Sequence, residues 1–436
     1  MLDLIEQINL QNFLFSKIPA RTLLNQYKPV QNAKYRGQVL RNHSFELVEH
    51  TIHAFLDYAD CEIDFVYSGY DDSFSFQELD ITADIFILWV DGTRYVDKEV
   101  EVYIKGRIKF LRQLTDKPIL VIPYECSVKS EIIDVVVFDL KNIKDELKDS
   151  YKDLRAKKIT GTELSRQALV QISRELGLKY LPSLLKPAIK AIVTDFDNTL
   201  YKGVLGEDGI NGVELSEGHI RLQSIMKDYA DNGIFLCAVS KNEQEDVEKL
   251  LHDRKDFPLN AGDFTRISAS WNSKADSIVE LSKFMNIGTD SILFIDDNIG
   301  ELLSVFSSIP CIHIVQAKED PMETVRALEN YPCLCMRKKS SFINRKIDVI
   351  ANEERRRLIL ENSKEDYIKK LGVRLMFEVD NPKQIQRISE LANKTNQFIF
   401  SYRRYSVTQV SEIIESSSRC VVTVSLEDNL VSTISA

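Results

Sequence analysis

At about 150 residues per domain, a chain of 436 residues has room for about three domains and several buried cores, so a single small module is excluded. With 44% apolar and 28% charged residues, and only 16 Gly and 11 Pro, the composition is neither disordered, collagenous nor low in complexity. The 66 acidic against 56 basic residues leave a formal charge of −10, which argues against wholesale binding of nucleic acid or of an anionic membrane surface.

Acidic residues Asp3 and Glu6 stand where a signal peptide would carry basic ones, and no apolar run approaches the ~18 residues that span a bilayer. The seven cysteines are scattered and odd in number, as expected of reduced thiols rather than a disulfide framework. Together these point to a cytoplasmic protein.

Taken in chain order, short runs rich in Val, Ile and Phe at 61–67, 85–90, 119–122 and 132–138 alternate with helix-length segments. That pattern predicts buried parallel strands in β/α units and a first α/β domain over 1–185. Apolar residues at three- and four-residue spacing predict a surface helix over Val100–Leu114. Two prolines mark 180–190 as a linker.

A second set of buried strands is expected at 191–196, 234–239, 291–295 and 311–315, with helices at 219–232, 243–253 and 273–285 between them. This predicts a second doubly wound α/β domain over 190–332. The stretch 337–371 then reads as a basic helical connector: 337–370 holds eleven Lys+Arg against six acidic residues. The tail, 372–436, reads strand, helix, helix, strand. It looks like the opening of a larger α/β domain, being near the lower size limit for an independent core.

The chemistry is concentrated in the second domain. Asp195-Phe196-Asp197-Asn198-Thr199 sets two carboxylates two residues apart at the carboxyl end of a buried strand, where open α/β sheets place their ligands. Carboxylates at such a position need compensation, and a divalent cation is the usual one. Ser240-Lys241-Asn242 ends the next strand and could hold phosphate oxygens. Lys274 opens a helix, where its charge could neutralise a phosphoryl oxygen. Asp296-Asp297 ends a further buried strand with a second acidic pair.

These four segments, in this order, resemble the four motifs of the haloacid dehalogenase (HAD) superfamily of phosphotransferases. With the Lys202-Gly203-Val204-Leu205-Gly206 stretch and Trp271-Asn272-Ser273-Lys274, the chain looks like the FkbH-like branch, subfamily IIIC. That branch loads a glyceryl unit from a phosphorylated three-carbon donor onto an acyl carrier protein. The resemblance implies a HAD-like doubly wound parallel-sheet phosphatase core over 190–332. Asp195 would be the nucleophile, giving an aspartyl-phosphate, and Asp197 the general acid and base.

The resemblance further implies Mg²⁺ on Asp195, Asp197 (through its carbonyl) and Asp297, with Asp296 behind it or as an alternative ligand, and a phosphate held by Thr199, Ser240, Lys241 and Lys274. The glycine-rich segment 201–218 would form a small mobile flap. Thr395-Asn396-Gln397-Phe398 and Arg403-Arg404-Tyr405 are similar to the branch's acetyltransferase-like C-terminal region. The first domain fits an SGNH-hydrolase-like α/β domain by position and strand pattern. Lacking a Gly-Asp-Ser block and an Asp-x-x-His pair, it is expected to be non-catalytic. The expected partners are thus a phosphorylated small molecule and an acyl carrier protein. Two other functions fit the same residues: a plain hydrolase of a small phosphorylated metabolite, and a carrier-protein scaffold with a vestigial phosphatase core.

Overall fold

The computed structural model describes residues 4–16, 19–28, 33–95, 99–130, 132, 134–155, 157, 161–334, 349–355, 357, 371–394, 404–429 and 432–435. The chain divides into two compact units, one formed almost entirely by residues before 339 and one by the residues after it.

The first unit contains two five-stranded sheets, each parallel throughout. In the first, β1 (Tyr35–Arg41), β2 (Ile63–Tyr70), β3 (Ile85–Asp91), β4 (Ile119–Tyr124) and β5 (Val135–Val137) lie in the order β2-β1-β3-β4-β5. β3 and β4 are buried along their whole length, as expected of central parallel strands with helices on both faces. β1 was not legible in the sequence. Its YRGQVLR carries two aliphatic residues among polar ones, and the buried Gln38 is accommodated by bonding the backbone of Glu78 and Asp80.

The second sheet comprises β6 (Ala191–Thr194), β7 (Phe235–Ser240), β8 (Arg266–Ala269), β9 (Ile292–Asp296) and β10 (His313–Gln316), in the order β10-β9-β6-β7-β8. β6 is central, paired with β9 on one side and β7 on the other. The four predicted strands and three predicted helices are present within one to three residues. β8 is the addition, a short half-exposed edge strand.

The predicted linker over 180–190 needs correction. Residues 166–185 form a continuous helical stretch, α-helical over Arg166–Arg174, π-helical over Glu175–Tyr180 and α-helical again over Leu181–Leu185. Pro182 sits in the first turn of the last segment, where a missing N–H is tolerated, and Leu181 and Pro182 are buried. Only 186–190 connects the two sheets. Their cores are not separate: Leu10, Leu14, Phe55 and Leu178 belong to the same apolar cluster as Ile192, Leu236 and Leu293.

The second unit carries an antiparallel sheet, β11 (Arg374–Val379), β12 (Val422–Glu427) and β13 (Ser432–Ser435), with helices Ile385–Lys394 and Val407–Ile414. β13 extends the expected strand–helix–helix–strand pattern. Most of the basic stretch 337–370 lies outside the described residues, as do 395–403 with the Thr395–Phe398 motif. Arg355, within the basic stretch, forms a two-bond ion pair with Asp428 (Nε–Oδ2 2.7 Å, Nη2–Oδ1 3.1 Å), whose side chain is 1% exposed.

Candidate active site

The site lies at the carboxyl end of the second sheet. Residues Ile192 to Thr194 are buried between two neighbouring strands, and the Asp195 N–H still donates to the Ile295 carbonyl (2.9 Å), so the ladder fixes Asp195 as the chain leaves the sheet. Its Oδ1 accepts from the Phe196 N–H (2.8 Å) and its Oδ2 from Lys274 Nζ (2.7 Å). Asn198 turns the chain in the left-handed region (φ 50°), which asparagine tolerates, and its Oδ1 accepts from the Gly203 N–H (3.0 Å).

Lys274 is the first residue of the helix Lys274–Met285 and is 4% exposed. Its ammonium also donates to Asp296 Oδ2 (2.6 Å), the last residue of β9, whose Oδ1 accepts from the Asn298 N–H (2.9 Å). One buried cation therefore joins the ends of β6 and β9. Asp297, half-buried, completes a cluster in which one carboxylate oxygen each of Asp195, Asp296 and Asp297 lies within 4.8 Å of the others.

The electrostatics follow from that crowding. Burial, then the Asp195 charge, pushes the Asp296 carboxyl upward against the opposing pull of Lys274. Asp297 is raised by burial and by Asp195. Burial works against the Lys274 charge, but Asp195 and Asp296 outweigh it and hold the ammonium above its ordinary value. Three carboxylates against one ammonium leave an excess of negative charge that a divalent cation would relieve.

Asp197 stands apart from that cluster. Its Oδ1 accepts from Tyr201 Oη (2.7 Å) and the Leu205 N–H (3.0 Å), and its Oδ2 from Asn242 Nδ2 (2.9 Å). Asn242 Nδ2 also reaches Ser240 Oγ (2.9 Å), so the ends of β6 and β7 are tied together. The buried Thr199 Oγ1 has no hydrogen-bond partner.

The sequence-derived residues therefore separate. Asp195, Lys274, Asp296 and Asp297 converge. Asp197 and Ser240 are joined through Asn242. Lys241 does not point into the cluster: its ammonium pairs with Glu301 and its side chain is 44% exposed. The glycine-rich segment holds short helical turns within Leu205–Gly212, interrupted at Gly209 (φ 69°), and a bridge between Lys202 and Glu214. Tyr201 was missed as a functional residue, its only signal a position two residues after Thr199, and Asn242, expected only in a phosphate-holding segment, instead holds Asp197.

No family model matches the sequence, and no curated protein matches it. Among solved structures, the chain is similar to the N-terminal part of the Bacteroides fragilis protein BF1531, which contains a phosphatase domain complexed with Mg: 18% identity, 72% of this chain, 98% of that one, TM-score 0.56. A predicted HAD-like family hydrolase from Porphyromonas gingivalis gives 15% identity over 30% of this chain and 91% of that one, TM-score 0.23. The cobalt-bound deoxy-D-mannose-octulosonate 8-phosphate phosphatase from Haemophilus influenzae gives 17% over 42% and 94%, TM-score 0.24. The first likeness shows a shared α/β fold. Its share of this chain exceeds what either α/β half alone could supply, so it spans both.

Proposed function

We propose that this chain is a Mg²⁺-dependent phosphatase or phosphotransferase of the HAD type, acting through a phosphorylated Asp195. The observation that carries the reading is the buried Asp195–Lys274–Asp296 bridge with Asp297 beside it. The three-carboxylate donor set, all hard oxygen, fits Mg²⁺, and Asp195, Asp297 and Asp296 would hold it together with the Asp197 carbonyl. When bound, the ion would offset charge on the transferring phosphoryl group.

The chain's own residues supply the rest. An Asp195 oxygen attacks phosphorus as the bond to the leaving oxygen breaks, and Asp197 gives that oxygen a proton. Asp197 then takes a proton from the water that attacks the aspartyl-phosphate, releasing phosphate and restoring Asp195. Lys274 offsets charge on Asp195 and the phosphoryl oxygens, while the Thr199 and Ser240 hydroxyls are available to bond it. Lys241 would join only if it left Glu301.

The finer reading is FkbH-like: phosphate leaves a phosphorylated three-carbon acyl donor as its glyceryl unit passes to an acyl carrier protein. The motif resemblance supports it, and the first α/β half would then be an SGNH-like recruiting domain, the second unit an acetyltransferase-like one. The test is to incubate the protein with a panel of phosphorylated metabolites, with and without a carrier protein, following phosphate release and carrier mass. Carrier mass rising with phosphate release is the expected result. Release without any mass change reduces the reading to a plain hydrolase, and no release from any substrate overturns it.

A further inference from the structure

β10 is the edge strand of the second sheet, so among the described residues one side of its backbone has no neighbouring strand. At Gln316 that side is taken by a side chain from 305 residues earlier. Gln11 Oε1 accepts from the Gln316 N–H and Gln11 Nε2 donates to the Gln316 carbonyl, both at 3.3 Å. The amide thus completes the edge as a peptide group would. Gln11 is 3% exposed, on the helix Leu4–Leu14, whose Leu10 and Leu14 are buried in the core shared by the two halves.

Gln316 leads directly to the carboxylate cluster. It is the register partner of Asp296, and the Asp296 carbonyl accepts from the next residue's N–H, that of Ala317 (2.9 Å). Its own side chain donates from Nε2 to the Asp297 carbonyl (3.3 Å), while its Oε1 accepts from Lys318 Nζ. A chain of polar contacts therefore runs from the N-terminal helix through an edge-strand peptide to the backbone of the loop that carries Asp297.

We propose that Gln11 is a positioning residue for the metal-binding loop: the N-terminal helix fixes Gln316, and Gln316 fixes the Asp297 backbone. This rests on the reading of Asp195, Asp296 and Asp297 as Mg²⁺ ligands. Groups that orient ligands from outside the coordination sphere typically change metal affinity by about 10–100-fold, and an indirect one belongs at the lower end.

The experiment is calorimetric titration of the full chain with MgCl₂, with thermal unfolding in parallel. Gln11→Ala and Gln11→Met are each expected to weaken Mg²⁺ binding about tenfold. Gln316→Ala should do the same, and the Gln11→Ala/Gln316→Ala pair no more than the larger single effect. Leu14→Val, which perturbs the same helix without touching the amide, should lower the melting temperature and leave affinity unchanged. Unchanged affinity in either foldable Gln11 variant, or an equal loss in Leu14→Val, overturns the proposal and leaves the metal reading standing. Absence of Mg²⁺ binding by the unaltered protein overturns both.

Discussion

Lys274 is held between two buried carboxylates with almost no solvent exposure, and that geometry changes what its replacement should do. Removing one partner of a buried ion pair strands the others and costs about 3–5 kcal/mol. Lys274→Ala is therefore expected to melt well below the unaltered protein and to turn over at least about a hundredfold more slowly. Because Mg²⁺ would occupy the exposed negative charge, added MgCl₂ should recover part of the stability. A differential scan with and without Mg²⁺, beside phosphate release, checks both, and an unaffected rate would show that another cation serves this role. Asp197→Asn offers the contrast. Its partners Tyr201 and Asn242 remain, so the fold should persist while proton transfer fails, lowering turnover by about 10²–10⁴.

Among the elements, those legible in the sequence were the ones whose residues all obey one period. β3, β4, β7 and β9 are nearly unbroken apolar runs, and Val100–Leu114 has a single apolar stripe. β1 escaped because its polar residues are paid for by long-range bonds that no local pattern shows. Residues 180–185 of the 166–185 helical stretch read as linker because Pro182 usually breaks a helix, yet here it begins a new turn after a π segment. That stretch packs closely on the helix Glu46–Tyr58: a Cβ on Gly177 would lie 2.7 Å from the Phe55 Cβ. Gly177→Ala should therefore destabilise by about 1–3 kcal/mol through overpacking, seen as a lower melting temperature with phosphate release retained below it. In the second unit, Arg355→Ala would strand the buried Asp428 carboxylate. Loss of that unit's cooperative unfolding, with phosphate release unchanged, is the expected outcome by calorimetry and assay.

For the whole molecule, the carboxyl ends of β6 and β9 were readable because acidic residues ending apolar strands are conspicuous, and the structure brings Asp195, Lys274, Asp296 and Asp297 together. What the sequence could not show is the contact between distant segments: the continuous core of the two α/β halves, Asn242 reaching Asp197, and Gln11 reaching Gln316. The similarity to the BF1531 structure extends over 72% of this chain, more than either α/β half alone. The chemistry proposed for the site requires Asp195 to work with a divalent cation. It is tested most directly by phosphate release from a phosphorylated substrate, comparing the unaltered protein with Asp195→Asn, each in MgCl₂ and in excess chelator. Release only by the unaltered protein in Mg²⁺ is the predicted result; turnover that persists in the chelator or in Asp195→Asn would contradict the account.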